Sequence, residues 1–582
     1  MTRQCQNCKA SFEIGADDLA FYQKISVPPP TFCSKCRLER RLAFVNLFNL
    51  YKRPCDLCHT PTFSVYRPDA PYVVYCPKCW WSDDWDPLEY GRDYDFSRPF
   101  FEQLNELWHR TPLLGLSIDF VTLATSPYTN HIGHLKNGYL VFHADFNEDI
   151  AYGFYLVHSK ALIDCSLAMN SELCYDSMHI YKVNRGVGLR SQVTESLDCA
   201  FLKDCMNCQN CFASANLRSK KYYIFNKPYT REEYFKKLKT WDLGSYTTYK
   251  EVQKAAEEHW KTLPPKPHMD EFAPGCTGRL VFQSKNCKDC FEVVGAEDSR
   301  YLLMIEMGPV KDCYDLTSWG NNMELCYECS VVGEGVFRGK FCQESGLSLN
   351  DAEYCKLSTG TGYHFGCVSV KKTKYCILNK QYGEEEFHAL REKIIEHMNE
   401  MPYVSRGANS GSTVLGGSPS KDKEQIVYKY GEFFPIEMSP FAYNETMAAR
   451  FFTLSKAEAE SKGFRWQEPE KSSYAISKAA HDLPDHIKDA TDAILKEVIG
   501  CEACGRGFKI IKMELDFLRR MNLPLPRWCP FCRINEKFDQ WVKNLHVFTR
   551  TCAKCGAEFE TNYPEEEAEY ILCKKCYLEE IV

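Results

Sequence analysis

The sequence predicts a multidomain, mainly β protein with a central, duplicated β-solenoid between small cysteine-rich modules at both termini. Three observations predict this fold class. Pairs of cysteines recur at the two ends of the chain, two long segments of the middle resemble each other, and short β-type runs fill these segments. At 582 residues the chain is also longer than one hydrophobic core usually serves, so we expect several domains.

The terminal modules are defined by Cys-x-x-Cys pairs. Of the 32 cysteines, half lie in such pairs at the termini, four pairs near each end. Each end has one unit with a long gap between its two pairs, and this gap is the same from Cys8 to Cys33 as from Cys504 to Cys529. Each end also has one unit with a shorter gap, which is again the same at both ends. These matched spacings indicate that one module has been used at both ends.

The paired spacing is typical of a structural metal site. Two Cys-x-x-Cys turns offer four thiolates at the corners of a tetrahedron, which suits Zn²⁺ and leaves no position open for water. Redox pairs are disfavoured because no βαβ context surrounds the cysteines, whereas iron stays an alternative that only metal analysis separates. We predict four structural zinc ions, bound by Cys5, Cys8, Cys33, Cys36, Cys55, Cys58, Cys76, Cys79, Cys501, Cys504, Cys529, Cys532, Cys552, Cys555, Cys573 and Cys576.

Both ends also predict a helix that begins at the second cysteine pair. The segments "FCSKCRLERRLAFVNLFNLYKR" and "WCPFCRINEKFDQWVKNL" carry apolar residues at helical spacing directly after that pair. A thiol turn, a β-hairpin and a helix together form a treble-clef or zinc-ribbon module. The sequence therefore predicts tandem modules of this type at each terminus.

The same residues carry a family resemblance. "CQNCKASFEIGADDLAFYQKISVPPPTFCSKCRLERR" and "CEACGRGFKIIKMELDFLRRMNLPLPRWCPFCR" resemble the probable zinc-ribbon domain of bacteria. "YCPKCWWSDDWDP", "DYDFSRPFFEQLNEL" and "FGCVSVKKTKYCILNKQY" extend the likeness to an uncharacterised multi-zinc-ribbon family of candidate-phyla bacteria. The resemblance implies the metal-bound fold and no particular reaction.

The middle of the chain is an internal duplication. "FASANLRSKKYYIFNKPYTREEY", from Phe212, returns as "FGCVSVKKTKYCILNKQYGEEEF", from Phe365, and "SELCYD" returns as "MELCYE" at nearly the same offset. Short β-type runs between Gly, Asn, Asp and Ser turns favour a parallel β-solenoid in two halves, with an antiparallel sandwich or propeller as the alternative. Cysteines that recur at nearly equal intervals suit inward positions on successive coils, namely Cys329, Cys342, Cys355 and Cys367.

Two further groups of cysteines leave a choice open. Three closely spaced thiols could bind an additional metal ion, but free cysteine is among the most buried residue types, and we favour packing in the β core. The two groups are Cys205, Cys208 and Cys211, and Cys276, Cys287 and Cys290.

Composition shifts divide the chain into six segments. An amphipathic helix follows each solenoid half, a Gly- and Ser-rich stretch follows the second, and "LPDHIKDATDAILKEVI" predicts a helix before the C-terminal module. The predicted segments are an N-terminal double module (1–90), a helical connector (91–135), the duplicated solenoid (136–400) with a helical insert (228–270), a flexible linker (401–425), an extended arm and helix (426–499), and a C-terminal double module (500–582).

One basic helix is the best candidate for a partner site. The stretch from Cys33 to Arg53 carries six cationic residues against Glu39 alone, with aromatic residues between them, which is a pattern found in nucleic-acid-binding modules. The alternative is that these side chains are solvated or paired with acids of the following segment "WWSDDWDPLEYGRDYD", and the net charge of -7 favours that alternative. The candidate nucleic-acid contacts are Lys35, Arg37, Arg40, Arg41, Lys52 and Arg53.

The sequence favours a non-catalytic, zinc-stabilised scaffold that binds nucleic acid or a protein partner. No nucleotide-binding, metalloprotease or hydrolase motif is present, so no catalytic residue and no small-molecule substrate is predicted. The alternative is an enzyme of unknown reaction with its site on the solenoid face. Without a signal peptide or a long apolar run, we expect a cytoplasmic protein that does not contact membranes. Trp80, Trp81 and Trp85 are expected to pack between the module and the solenoid, and the alternative is an exposed aromatic platform for a partner.

Overall fold

The computed structural model describes residues 1–267, 273–297, 299–300, 303–305, 310–311, 323–325, 327–330, 337–344, 346–405, 425–468 and 474–581. It confirms the predicted fold class, because a parallel β-solenoid occupies the middle of the chain and four-cysteine clusters lie near both termini. Most of the predicted linker 401–425 lies outside the described residues. Among the residues described, no helix combines the length and the apolar character that crossing a bilayer requires.

The chain forms two compact units, each made of two separate stretches. The first unit contains Met1–Leu116 and Asp270–Glu468, and the second contains Ser117–Met269 and Pro469–Val582. The N-terminal module therefore shares a unit with the second solenoid half, and the C-terminal module shares a unit with the first half.

Helices lie mainly in the modules and after each solenoid half. In chain order the α-helices of the described residues are Ala16–Lys24 (α1), Ser34–Leu42 (α2), Pro77–Trp80 (α3), Phe100–Arg110 (α4), Arg231–Leu238 (α5), Tyr246–Lys261 (α6), Glu384–Glu400 (α7), Ala448–Phe451 (α8), Lys456–Ser461 (α9), Lys512–Met521 (α10), Pro530–Asn544 (α11) and Lys574–Ile581 (α12). Short 3-10 turns are Pro87–Tyr90, Ile436–Met438, Tyr443–Glu445, Ala480–Asp482, Ile487–Asp489, Asp492–Lys496 and Glu565–Glu567.

Most strands are short and belong to the solenoid. Those of the first half are Thr129–Ile132, Leu135–Asp145, Asn147–Val157, Lys160–Ile163, Ser166–Met169, Glu172–Tyr175, Met178–Tyr181, Asn184–Val187, Val193–Thr194, Leu197–Lys203, Gln209–Ala215, Lys221–Ile224 and Lys227–Pro228. Those of the second half are Gly278–Phe282, Cys290–Val294, Ala296–Glu297, Leu303–Ile305, Val310–Lys311, Met323–Glu324, Gly346–Glu353, Thr359–Phe365, Lys371–Ile377 and Lys380–Gln381. The remaining pairs and triplets are Thr2–Gln4 with Ser11–Glu13, Tyr51–Pro54 with Pro61–Ser64, Val74–Tyr75 with Leu113–Leu114, Tyr403–Val404 with Val427–Tyr428, Ile499–Gly500 with Lys478–Ala479 and Gly507–Phe508, and Phe548–Thr551 with Glu558–Thr561.

The solenoid coil is built from short steps between regularly spaced corners. From His131 to Arg185 every third residue has a positive φ, and the residue after each such corner points inward. Leu162 pairs in parallel with Ile150 on one side and with Cys174 on the other, and four corners separate each partner from the next. Asn, Asp and His are the non-glycine residues that tolerate positive φ best, and they recur at the corners.

Small polar side chains inside the coil satisfy backbone groups at the corners. Ser171 is 2% exposed, donates a hydrogen bond from Oγ to the carbonyl of Met169 (2.9 Å) and accepts one from the N–H of Val183 (3.2 Å). Cys205 repeats the pattern, since its thiol donates to the Lys203 carbonyl (3.3 Å). The narrow core therefore selects Ser and Cys because they pack tightly and satisfy buried amides.

The two solenoid halves end in the same way. Asn226 accepts a hydrogen bond from the N–H of Ala215 (2.9 Å) and donates to the carbonyl of that residue (2.7 Å). Asn379, at the equivalent position of the second half, makes the same two bonds to Val368, both at 2.8 Å. This agreement extends the sequence duplication to individual contacts.

One predicted helix is absent. The segment 485–499 contains two 3-10 turns, Ile487–Asp489 and Asp492–Lys496, instead of an α-helix. The N–H of Lys488 donates a hydrogen bond to the ring nitrogen Nδ1 of His486 (3.1 Å), and the N–H of Ile487 donates one to the carbonyl of Gly244. These bonds replace the intrahelical bonds that the apolar spacing of the segment suggests.

Candidate metal centres

Each cluster begins with the same turn of backbone around its first cysteine pair. In the first cluster the N–H of Cys5 bonds to the carbonyl of Ala10 (2.9 Å), and the N–H of Lys9 bonds back to the carbonyl of Cys5 (3.0 Å). The other three clusters repeat both bonds. The residue after the second cysteine has a positive φ in all four turns, and it is Gly505 or Gly556 at the C-terminal end, where glycine carries no strain.

In three of the four clusters the second cysteine pair lies at the beginning of a helix. Cys33, Cys76 and Cys529 are the N-cap residues of α2, α3 and α11, so the fourth cysteine of each cluster falls in the first helical turn. The positive end of the helix dipole favours thiolates at this position. Backbone N–H groups add to this effect, because the N–H of Cys33 points at the Cys5 sulfur (3.3 Å) and that of Cys529 at the Cys501 sulfur (3.1 Å).

The sulfur atoms have the spacing of a closed tetrahedral site. In each of the four predicted groups, all four sulfurs lie within 4.8 Å of one another. The Cys8 and Cys33 sulfurs are 3.7 Å apart, and those of Cys504 and Cys529 are 3.8 Å apart. Tetrahedral zinc with bonds of about 2.3 Å requires sulfurs about 3.8 Å apart, whereas a disulfide would bring them to about 2 Å. All four clusters can therefore hold a metal ion.

The thiols of a cluster affect one another's ionisation. Interaction with Cys36 lowers the pKa of Cys33 to about 5, whereas Cys33 raises the pKa of Cys36 above its usual range. Adjacent thiols share protons in this way because two neighbouring thiolates repel. A divalent cation removes the conflict, since it stabilises all four thiolates at once.

Comparisons with protein-family models, with curated proteins and with solved structures find no match. The assignment of a metal ion to the clusters therefore rests on their geometry alone. The likeness to zinc-ribbon modules stays at the level of architecture, which is a thiol turn, a hairpin and a helix around four cysteines.

The cysteines of the middle form no further cluster among the residues described. Cys205, Cys208 and Cys211 are at most 2% exposed, and each thiol donates to a backbone carbonyl of its own coil. Cys287 and Cys290 behave in the same way in the second half, while Cys276 lies at its edge. These thiols pack the core, as the sequence favours.

The basic stretch of the N-terminal module is mostly buried, and it is not a single helix, because α2 ends at Leu42 and both Lys52 and Arg53 lie on the strand Tyr51–Pro54. Four of the six candidate nucleic-acid residues are at most 6% exposed, namely Arg37, Arg40, Arg41 and Arg53, while Lys35 and Lys52 are exposed. Burial on this scale removes the four arginines from contact with a phosphate backbone. Arg40 and Arg53 form ion pairs within the molecule.

The acids that pair with this helix are not the ones that the sequence suggests. Arg40 lies 2.8 Å from Glu328 on the solenoid and 3.2 Å from Glu432 on the segment after it, rather than near the aspartates after Cys79. Arg53 pairs with Asp56 (3.0 Å) and donates a hydrogen bond to the carbonyl of Arg67 (3.1 Å), so it stabilises the segment of the module that follows it in the chain. The distant partners of Arg40 could not be identified from local sequence.

The second unit repeats this arrangement with different residues. Lys537 of α11 occupies the position of Arg41 and lies 2.6 Å from Asp176, the counterpart of Glu328 in the "SELCYD" and "MELCYE" repeats. Arg533, the counterpart of Arg37, pairs with Asp164 and lies 3.0 Å from Glu514. In both units a metal-site helix is thus joined to the solenoid by buried ion pairs.

Burial and charge act in opposite directions on these carboxyl groups. Burial opposes ionisation of Asp176, but Arg190 and Lys537 outweigh it and hold the pKa of that carboxyl below its usual range. Burial raises the pKa of Asp164, and Arg533 offsets this only in part. Both groups serve ion pairs, which Lys537 and Arg533 form across the contact between module and solenoid and which Arg190 forms within the solenoid.

A second contact between module and solenoid is also duplicated. Trp80 is 1% exposed, and its indole N–H points at Ser369 Oγ (3.4 Å). Its counterpart in the second unit, Tyr577, donates to Asn216 (2.9 Å), which holds the position of Ser369 in the first solenoid half. Trp81 and Trp85 are half-buried beside Trp80, so the tryptophans pack between module and solenoid as predicted.

Proposed function

We propose that the protein is a cytoplasmic, zinc-stabilised scaffold that binds a protein partner through its C-terminal module. Zinc is the metal that fits four closed thiolate sites of this geometry best, and a closed site supplies folding free energy rather than catalysis. The helices that would carry a nucleic-acid site are used inside the molecule, which favours a protein partner over nucleic acid.

The observation that carries the proposal is a difference in coverage between equivalent modules. In the first unit the segment 425–468, which we call the arm, covers the N-terminal module, and the hydroxyl of Tyr51 bonds to Glu445 of the arm. Phe548 has the position of Tyr51 in the C-terminal module and is 39% exposed. Leu578 and Tyr570, in the same module, are each 49% exposed. We take these three exposed side chains of one module as the candidate partner surface.

Variants of this surface test the proposal. We expect Phe548→Glu and Leu578→Glu to abolish co-purification of a specific protein from the producing cell while four zinc ions per chain are retained. Phe120→Glu, which changes an exposed aromatic residue of the solenoid half in the same unit, is the matched control and should retain the partner. Retention of the same proteins by all three variants would contradict the proposal.

A titration with single-stranded RNA separates the alternative partner. We expect affinity too weak to measure in about 200 mM salt and no effect of Lys35→Glu or Lys52→Glu. Tight binding at that salt concentration, weakened by these two variants, would show that nucleic acid is the partner.

A further inference from the structure

The C-terminal end of the first solenoid half carries a concentration of positive charge. The last two strands of this half, Lys221–Ile224 and Lys227–Pro228, form a hairpin, and α5 packs on it through the buried Tyr234, whose ring centroid lies 5.7 Å from that of Tyr222. From residue 218 to residue 239 the chain has eight cationic residues and two acidic ones, although the whole protein carries a net charge of -7. The exposed lysines of this stretch, which we call the cationic surface, are Lys220, Lys221, Lys227, Lys236, Lys237 and Lys239.

The lysines of the cationic surface form no ion pair with any residue that the structure describes. Of the two acids in the stretch, Glu232 is exposed, and Glu233 interacts electrostatically with Lys237. Glu233 also accepts hydrogen bonds from the N–H and the hydroxyl group of Thr230, both at 3.0 Å, and thereby caps α5. Because like charges that are gathered together repel one another, an acidic occupant would stabilise this surface.

The N-terminal module supplies acids to the equivalent end of the second half. Lys380, the counterpart of Lys227 in the repeat, lies 2.5 Å from Asp93. Asn379 of the same hairpin donates a hydrogen bond to the carbonyl of Pro87 (3.0 Å), so the acidic segment 80–95 lies against this end of the solenoid. Among the residues described, no acid pairs with Lys227. The first half therefore lacks the acidic cover that the second half has.

The helix that follows the second half has the opposite charge. In the internal repeat α7 takes the place of α5, and Glu384 and Glu392 stand where α5 and its C-cap have Arg231 and Lys239. Both helices pack on the hairpin of their own half, so their outer faces are equivalent surfaces with different charge. The duplication has therefore produced one basic and one acidic version of the same surface.

The outer face of α7 carries glutamates in a row. Its inner face buries Phe387 and Ile394, and at about 3.6 residues per turn the side chains seven and eleven positions after Glu385 lie with it on the opposite face. These exposed residues, which we call the acidic stripe, are Glu385, Glu392 and Glu396. Glu392 pairs with Arg391, which Glu353 also binds, whereas Glu385 and Glu396 form no ion pair with a residue described. Lys393, which is exposed beside the stripe, leaves the helix acidic in balance.

The aromatic rings among the lysines are already covered by cations or by other rings. Arg231 lies over the ring of Phe235 (5.6 Å), and Lys237 lies over that of Tyr229 (5.0 Å). Tyr222 meets Phe235 edge to face, with ring centroids 6.2 Å apart. Single-stranded nucleic acid stacks its bases on open aromatic faces. The cationic surface therefore fits carboxylates better than bases.

We propose that two copies of the chain associate by contact of the cationic surface of one copy with the acidic stripe of the other. Each chain carries both surfaces, so each copy can offer lysines and also receive them. Lys236 and Lys239 lie on the side of α5 opposite the buried Tyr234, which is the side that a second copy reaches. This association is independent of the C-terminal module and of the partner proposed for it.

Sedimentation velocity on the full-length, metal-loaded and nuclease-treated protein tests the association. At a protein concentration of about 50 μM we expect dimers or larger species in about 50 mM salt and monomers in about 500 mM salt, because salt screens exposed charge pairs. A contact between α5 and α7 within one chain would leave the protein monomeric under both conditions.

Two charge reversals sharpen the test because their effects cancel only when the variants are mixed. Lys236→Glu with Lys239→Glu places acid against acid at the contact, and Glu385→Lys with Glu396→Lys places base against base. We expect each double variant alone to associate at least about tenfold more weakly than the unchanged protein. An equimolar mixture restores opposite charges at the contact and should recover the association. Both variants keep a net negative charge, so attraction between whole molecules does not account for the recovery.

A matched control separates the contact from a general effect of charge. Lys488→Glu with Lys496→Glu makes the same change in net charge at exposed positions elsewhere in the second unit and should associate like the unchanged protein. Metal content and circular dichroism confirm that each variant is folded.

Three results would overturn the proposed association. They are a monomer of the unchanged protein in low salt, undiminished association of either double variant alone, and a mixture of the two that stays monomeric. Nucleic acid that co-purifies with the unchanged protein and is lost only on changing Lys236 and Lys239 would assign the cationic surface to nucleic acid instead.

Discussion

In the first unit the arm covers the metal module and Glu432 inserts beside Arg40, whereas in the second unit the matching surface faces α6, and Trp528, the counterpart of Phe32, is 37% exposed. The metal clusters, the buried ion pairs and the solenoid contacts are repeated in both units. The difference shows which features the module needs for folding and which are free to change. Contacts to the solenoid are retained, whereas the two copies differ at the surface that the arm covers in the first unit.

Metal loss is expected to have the largest effect, and it should act on one unit at a time. Each closed site contributes of order ten kcal/mol to the folding of its module. Cys33→Ser should remove one metal ion per chain and expose the first unit to limited proteolysis, while Cys529→Ser should do the same to the second. Cys205→Ser, in the solenoid core, should retain all the metal. Simultaneous unfolding of both units by either variant would contradict independent modules.

The buried ion pairs should give the next largest effect. Glu328→Gln leaves Arg40 without its closest acid, and Asp176→Asn does the same to Lys537. We expect each change to lower the free energy of unfolding of its own unit by about 3 to 5 kcal/mol, measured by denaturant titration. Glu558→Gln, an exposed change, is the control and should have almost no effect. An effect of Asp176→Asn as small as that of the control would show that the interface is not duplicated energetically.

The sequence predicts the four-cysteine clusters and the solenoid because these depend on local spacing. Cys-x-x-Cys pairs and the internal repeat can be read directly from one chain. The spacing of inward Ser, Cys, Ala and Leu at every third position is also present in the sequence from 132 to 189 and, shifted by one residue, from 193 to 217. This pattern is easily missed because β-strands usually alternate with period two.

The role of the basic helix could not be predicted in the same way. Arg40 finds Glu328 and Glu432 at separations of 288 and 392 residues, and no local pattern indicates such partners. The N-terminal module shares a unit with the second solenoid half, and the C-terminal module shares one with the first half. This pairing could not be predicted either, because no local sequence pattern indicates which half a module contacts. The 3-10 turns at 485–499 likewise result in part from a bond to a distant segment around Gly244.

Inward serines should have equal, moderate effects in the two halves. Ser171→Ala removes the acceptor for the N–H of Val183, and Ser284→Ala removes the acceptor for the N–H of Ala296 (3.1 Å). We expect each to lower the free energy of unfolding by about 1 to 3 kcal/mol, because a buried amide is left unpaired. Ser461→Ala, on the exposed helix α9, should have less than about 0.5 kcal/mol of effect. Unequal losses would mean that the halves differ in how they satisfy their corners.

The smallest expected effect concerns pH. Lys371 lies over the rings of Trp80 (4.6 Å) and Trp85 (4.4 Å), and burial lowers its pKa to about 8, with Asp83 and Asp86 opposing. Between pH 8 and 10.5 the unfolded chain binds more protons at this residue, so stability should rise with pH. Lys371→Met should remove this slope in denaturant titrations. Arg218→Met, at the matching position of the second unit, should not change it.

Elemental analysis combined with X-ray absorption, on protein purified under reducing conditions, tests the central claim most directly. We expect four zinc ions per chain, each with four sulfur neighbours at about 2.3 Å. Fewer than four ions, iron in place of zinc, or nitrogen and oxygen in the coordination shell would contradict the account of two units built on the same closed metal module.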